Sequence, residues 1–252
     1  MVELILTEQN RNQYIENGIL IINKAETITK LYCFNMHILS IDLSNCVNLI
    51  NLNCNNNKIS SIDLSNCINL TYLDCSNNNI SSIELSNCAN LYDLNCSNNS
   101  ISSIDLSNCI NLTYLDCSNN NISSIDLSNC VNLECFYCSD NFMSLIDLSN
   151  CVDLCEFDCS NNSISSINLS NCLYLERFYC NNNNISKLTT HSNISKIKCY
   201  NNQLTLLNIS KQSTYHNLIC NHLIISNKNT NLYKYLVKKH CWKNIVICHN
   251  EI

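Results

Sequence analysis

Apolar residues recur along most of this chain with a period of 21, falling at positions 1, 4, 6, 11, 14, 16 and 19 of each unit. The stretch 70–90 shows the pattern most clearly, with Leu70, Leu73, Cys75, Ile80, Ile83, Leu85 and Cys88 set among mostly polar residues. Units begin at Ile28, Leu49, Leu70, Leu91, Leu112, Leu133, Leu154, Leu175 and Ile194. The eighth is shortened to 19 residues, and a degraded tenth runs from Tyr215 through Leu218, Cys220 and Ile225. Positions 4 and 6 alternate as in a short strand, and positions 14 and 16 alternate again on a return leg. Neither segment can bury its apolar side alone. Stacking successive coils about 4.8 Å apart buries both, so the pattern predicts one solenoid instead of several globular domains.

The ends depart from the period. Residues 1–27 are expected to form an N-terminal cap, with a short helix from Thr7 through Tyr14 and Ile15 that stops at Gly18. Leu20, Ile22 and Ala25 then match the second half of a unit. The repeats occupy 28–225. Beyond them, residues 226–252 carry Leu232, Tyr235, Leu236 and Trp242 at near-helical spacing with interleaved lysines, which predicts a helical C-terminal cap and a final strand from Ile245 to Cys248.

The run LxxLxCxxNxI, as in Leu70, Leu73, Cys75, Asn78 and Ile80, resembles the leucine-rich repeat signature over roughly 28–214. The 21-residue length, the Cys at position 6 and the second half IxxIDLSNC are most similar to the cysteine-ladder repeats of the internalin J type. The resemblance implies a right-handed, mostly β solenoid with a parallel concave sheet, strands near positions 3 to 5, and short convex strands in place of helices. It also implies that the position-9 asparagines form a ladder bonded to neighbouring coils, namely Asn57, Asn78, Asn99, Asn120, Asn141, Asn162, Asn183 and Asn202, with Met36 interrupting the column in the first unit.

Composition adds constraints on setting. There are 50 Asn, one Gly and no Pro, so turns must rest on Asn, Asp and Ser. This bias is that of an AT-rich coding genome such as a large DNA virus. The 21 cysteines are odd in number, and the first residues lack a basic segment followed by an apolar run. Both features favour a reducing cytoplasm, that of the host if the origin is viral. No apolar run approaches the length of a membrane span. Net charge is −6 and unevenly placed: 5 Lys/Arg against 19 Asp/Glu in residues 1–186, and 9 Lys against one Glu afterwards.

Several columns imitate chemical sites. Cysteines at positions 6 and 19 form two lines, whereas a metal needs converging ligands, so they are expected to be reduced core residues. Cys135 and Cys138 make a CxxC, but positions 3 and 6 of a strand face opposite ways. Cys135 is therefore expected at the surface near Cys155, as reactive thiols or as ordinary variation. His240, Cys241, Cys248 and His249 have zinc-binding atoms without a standard spacing. Asp42, Asp63, Glu84, Asp105, Asp126 and Asp147 share position 15, where stacking would raise pKa values or attract cations unless each carboxylate bonds nearby serines or backbone. No metal or cofactor site is expected, and no nucleophile with an oriented base is evident.

Partner recognition is expected on the concave face, at positions 2, 3 and 5. These collect Tyr72, Asp74, Tyr92, Asp93, Tyr114, Asp116, Glu134, Tyr137, Glu156, Asp158, Glu176, Arg177 and Tyr179. Tyr and Arg favour binding surfaces, and the carboxylates would select a basic protein. A monomeric, non-catalytic protein-binding module is the expected function. Nucleic-acid or anionic-surface binding through the Lys-rich C-terminal quarter is the alternative, and a merely solvated sheet using Tyr for strand propensity remains open.

Overall fold

The computed structural model describes residues 2–22, 25–190 and 194–204, together with the strands 206–209, 217–219, 222–225 and 244–247. In chain order the strands are β1 (Val2–Ile5), β2 (Ile15–Glu16), β3 (Ile19–Leu20), β4 (Ile28–Tyr32), β5 (Ser40–Ile41), β6 (Asn51–Asn53) and β7 (Tyr72–Asp74). They continue as β8 (Asp93–Asn95), β9 (Tyr114–Asp116), β10 (Cys135–Tyr137), β11 (Glu156–Asp158), β12 (Arg177–Tyr179) and β13 (Lys187–Thr190). The last five are β14 (Lys196–Lys198), β15 (Leu206–Ile209), β16 (Asn217–Ile219), β17 (His222–Ile225) and β18 (Asn244–Ile247).

One coil contributes one strand to an 11-stranded parallel sheet, ordered β1-β4-β6-β7-β8-β9-β10-β11-β12-β14-β16. Register advances by 21 residues per step, as from Tyr72 to Asp93 to Tyr114, and by 19 from Arg177 to Lys196 where the eighth unit is short. The strands cover positions 3 to 5 of each unit. Only position 4 in each strand points inward: Leu52, Leu73, Leu94, Leu115, Phe136, Phe157, Phe178 and Ile197 are buried. Phe136, Phe157 and Phe178 stack on each other with ring centroids 5.4 and 5.5 Å apart, so a run of three larger residues is absorbed by offset packing along the solenoid axis.

The convex side is less regular than the period suggested. Strand pairs form there near the ends, β3 with β5 and β13 with β15, while Ile83 and Ile104 make an isolated bridge in the middle. Between these, the return legs are held by side chains. Position-15 oxygens accept from the backbone N–H two residues on: Asp63 from Ser65 at 2.9 Å, Asp105 from Ser107 at 2.9 Å, and Asn168 from Ser170 at 3.0 Å. Each carboxylate thereby closes its own turn, and the Asn168 amide oxygen makes the same bond. The stacking of like charge does not raise these groups: hydrogen bonds from the serines lower the pKa of Asp42, Asp63, Asp105 and Asp126.

Three asparagine ladders tie coil to coil. At position 9, Asn78 Nδ2 donates to the carbonyls of Cys54 and Cys75, both at 3.0 Å, and its Oδ1 accepts from Ile59 N–H at 2.9 Å. At position 18, Asn66, Asn87 and Asn108 each donate to a serine carbonyl 22 residues earlier, at 2.8–2.9 Å. At position 21, Asn69, Asn90 and Asn111 do the same to the backbone of the preceding coil at 3.0–3.1 Å. Position 8 has a separate task. Asn56, Asn77, Asn98, Asn119, Asp140, Asn161, Asn182 and Asn201 all adopt positive φ, between 52° and 57°, turning the chain out of the strand in a region that Asn and Asp tolerate best after Gly.

The N-terminal expectation needs correction. Thr7 opens no helix; its carbonyl accepts from Asn10 and Arg11 N–H, and a single 3-10 turn covers Arg11–Gln13. Tyr14 and Ile15 then lead into the antiparallel pair β2 and β3. The cause is Asn17-Gly18, with φ of 52° and 80°, the two positive values that a two-residue hairpin turn demands. The match of Leu20 to the second half of a unit does hold, since Leu20 is buried and pairs with Ile41 at position 14. The C-terminal helix expected around Leu232 to Trp242, and the cluster His240, Cys241, Cys248 and His249, lie outside the described residues.

Candidate functional site

The concave sheet presents two side-chain columns per coil, from positions 3 and 5, while position 2 sits on the rim one residue before each strand. Position 3 runs Lys30, Asn51, Tyr72, Asp93, Tyr114, Cys135, Glu156, Arg177, Lys196, and position 5 runs Tyr32, Asn53, Asp74, Asn95, Asp116, Tyr137, Asp158, Tyr179, Lys198. Parallel register brings these residues side by side. Tyr114 and Tyr137 lie diagonally across β9 and β10 with ring centroids 5.6 Å apart and planes tilted by 49°. Both are half-buried, as are Tyr72, Asp93, Asp116, Glu156, Asp158 and Tyr179. Tyr92, Glu134 and Glu176 on the rim, and Arg177 in its strand, are exposed.

Asp74 is the exception among the expected surface residues. It is 7% exposed, with Oδ1 accepting from Ser76 Oγ at 2.7 Å and Oδ2 from Asn55 Nδ2 at 2.6 Å. Asp116 and Asp158 share this turn-closing role through Ser118 and Ser160, but each keeps a second oxygen. Position 5 therefore serves fold and surface together. That double duty is invisible in the sequence, because a carboxylate that bonds the next turn and one that faces solvent occupy the same column.

Burial and mutual repulsion set the electrostatics of this face. Burial, then the Asp74 carboxylate, lifts the pKa of Asp93. Burial also lifts Asp116 and Asp158, against the lowering effect of their serine bonds. Tyr72 and Tyr114 are pushed up to about 12, by burial first and neighbouring carboxylates second, so both keep their phenolic protons at neutral pH. The face is acidic over β7 to β11 and turns basic at Arg177, whose Nη1 meets Glu156 Oε2 at 2.8 Å.

The cysteine columns are structural. Sixteen of the eighteen described cysteines are buried and all are free thiols. Burial pushes Cys33 and Cys75 up to about 12 and Cys46 up to about 11, well away from a reactive thiolate. Cys135 and Cys155 are half-exposed, and Cys138 is buried, so the CxxC pair is divided between surface and core. Burial and nearby Glu156 raise the Cys135 pKa; burial and Glu134 raise that of Cys155. Among the described residues, no three His, Cys, Asp or Glu side chains group as a metal ion would require.

The period concealed one surface feature. Position 20 carries Val47, Ile68, Ala89, Ile110, Val131, Val152 and Leu173, and the larger six are 42 to 55% exposed. They form an apolar strip along one flank. Beside its first coils, a shallow groove of about 660 Å³ is lined by Thr29, Ile50, Thr71, Asn48, Asn69 and Asn90 among others. An apolar residue immediately after a buried Cys was the available signal, but a 21-residue pattern alone does not distinguish inward from outward positions.

The stacked sheet, inward cysteine columns and asparagine ladder define a leucine-rich repeat solenoid. A family model described as leucine-rich repeats in two copies matches residues 68–108 and again 110–150. Its cysteine ladder is also that of a solved structure, the functional domain of InlJ from Listeria monocytogenes, at 26% identity and a TM-score of 0.60 over 79% of this chain and 54% of that one. A leucine-rich repeat protein of Leptospira interrogans is similar in fold at 18% identity, TM-score 0.62, over 89% of this chain and 55% of that one. The plant peptide hormone receptor RGFR1, solved in complex with RGF2, is similar at 22% identity, TM-score 0.68, over 88% and 41%. The chain thus spans about half the length of these proteins. No curated protein sequence matches it. Among the described residues, no helix is long and apolar enough to cross a membrane.

Proposed function

We propose that the protein is a non-catalytic recognition module that binds a protein partner on its concave sheet. The observation carrying this reading is the Tyr114 and Tyr137 pair, 5.6 Å apart and half-buried, set among Asp93, Asp116, Glu134 and Glu156. Large amphipathic rings held on a rigid sheet lose little conformational freedom on binding, and the surrounding carboxylates favour a partner that brings positive charge. Tyr72, Tyr92, Asp158, Glu176, Arg177 and Tyr179 extend the same surface. The reading is consistent with neighbours of this fold that were solved as complexes, among them RGFR1 with RGF2 and the LRIM1/APL1C complex.

The test is quantitative capture from native cells by the wild-type chain, a Tyr114→Ala, Tyr137→Ala double variant, and a Lys238→Glu, Lys239→Glu double variant. Loss of a specific partner with the tyrosine variant, and retention with the lysine variant, is expected. Equal capture by the tyrosine variant, with salt-sensitive loss in the lysine variant, overturns the proposal in favour of anionic-surface or nucleic-acid binding.

A further inference from the structure

The charge on the concave sheet changes sign across one seam. Strand register sets Glu156 beside Arg177 and Arg177 beside Lys196; in the other column Asp158 lies beside Tyr179 and Tyr179 beside Lys198. The Arg177 to Glu156 ion pair closes the seam at 2.8 Å. Past it, Lys196 Nζ and Lys198 Nζ stand 5.1 and 5.0 Å from the centroid of the Tyr179 ring, so two ammonium groups converge on one aromatic face region. Among the described residues the ion pairs are Arg11 with Glu8 and Arg177 with Glu156, so neither lysine is in a contact ion pair, although Lys198 is near enough to Asp158 to lower its pKa. On the other side of the seam, Asp93 and Asp116 face solvent in part and make no ion pair among the described residues, while Asp158 already feels the charge of Lys198.

We propose that the concave sheet reads a partner segment of mixed charge laid across its strands. Lysine or arginine side chains of that segment would lie over β8 to β11, and an aspartate or glutamate carboxylate would be held by Lys196 and Lys198 beside Tyr179. The inference rests on the concave-face reading and adds a polarity and a spacing to it. From β9 to β14 there are four strand steps in the sheet order. At about 4.8 Å each they span roughly 19 Å, or about six residues of extended chain. A carboxylate fits better than a phosphate because Arg177 is already engaged and Glu156, Asp158 and Glu176 lie alongside; a second negative charge would about double that repulsion.

A random dodecapeptide library displayed on phage and selected against the full chain tests this. Wild type is expected to enrich peptides with a basic residue and an Asp or Glu about six positions apart. A Lys196→Glu, Lys198→Glu variant should exchange the acidic preference for a basic one, with the wild-type consensus peptide losing at least tenfold in affinity by fluorescence anisotropy. Enrichment of uniformly basic peptides by both proteins, abolished by Tyr114→Ala with Tyr137→Ala, overturns the mixed-charge inference and leaves the concave reading standing. Enrichment indifferent to the tyrosine variant, or none at all, overturns both. Tighter binding of a consensus peptide whose Glu is replaced by phosphoserine overturns the assignment of the lysine pair to a carboxylate.

Discussion

Asn120 Nδ2 donates to the carbonyl of Cys96, 24 residues earlier, at 3.0 Å, while its Oδ1 accepts from Ile101 N–H at 2.9 Å. The same Nδ2 also donates to the carbonyl of Cys117 in its own coil at 3.1 Å, so one buried amide satisfies backbone groups of two coils. Asn120→Ala should cost about 2–4 kcal/mol, because two or more buried backbone groups lose partners at roughly 1–3 kcal/mol each. Asn66→Ala, which removes a similar bond at an exposed position, should cost under about 1 kcal/mol. Urea denaturation of both variants separates the two ladders; equal losses would contradict the distinction.

Position 8 makes a second prediction, from backbone geometry alone. Asn119 has φ of 54°, so Asn119→Gly should be tolerated while Asn119→Val should cost about 1–2 kcal/mol. Thermal melting of the two variants is sufficient, and a valine variant as stable as wild type would refute the left-handed column.

Acid dependence should differ between the two carboxylate columns. Burial raises the folded-state pKa of Asp116, so its contribution to stability is fully present below the unfolded value and is lost as pH rises through the folded value. Asp116→Asn should therefore stabilise at pH 7 and gain nothing near pH 3. Asn95 shows that an amide closes the same turn, accepting from Ser97 N–H at 3.1 Å. Asp105 has the opposite sign: serine bonds lower its pKa, so its contribution is present above the unfolded value and fades as pH falls through the folded one. Denaturant midpoints at pH 7 and near pH 3 should show an advantage of Asp116→Asn that disappears on acidification, and no such advantage for Asp105→Asn.

Thiol accessibility provides a fourth check. In the native protein, Cys135 and Cys155 should react with an aromatic disulfide reagent first among the described cysteines, and slowly, since both have raised pKa values. The sixteen buried thiols should react only on unfolding. Mass mapping that finds Cys75 or Cys88 labelled in the native state would overturn the core assignment.

Residues whose role depends on the period alone were legible in the sequence. The core positions and both cysteine columns follow from it, because a coil that repeats must repeat its interior, whereas the position-9 ladder was implied by the resemblance to leucine-rich repeats. Residues that differ only in direction were not. Asn66, Asn69 and Asn77 are the same amino acid within one coil and its boundary, yet the first two bond the preceding coil and the third takes positive φ. Ile68 and Ile80 are equally apolar, but one is 55% exposed and the other buried. Asp74 and Asp93 both fall at variable concave positions, and only the contact with Ser76 and Asn55 withdraws Asp74. At the N-terminus, the hairpin around Asn17-Gly18 overrode a helical reading because its turn signal is local, whereas the cap from Thr7 lacked an apolar periodicity to sustain it.

The ladder bonds join equivalent atoms of adjacent coils, as from Asn78 to Cys54 and from Asn120 to Cys96. Excising residues 91–111 would join Asn90 to Leu112 and leave each surviving asparagine facing an equivalent carbonyl. The distance from Tyr72 to the Lys196 and Lys198 pair would shorten by one strand step, about 4.8 Å. The solenoid is therefore a ruler graduated in single coils, on which the gain or loss of one 21-residue unit changes the length of the concave face by one strand step and keeps the same ladder bonds.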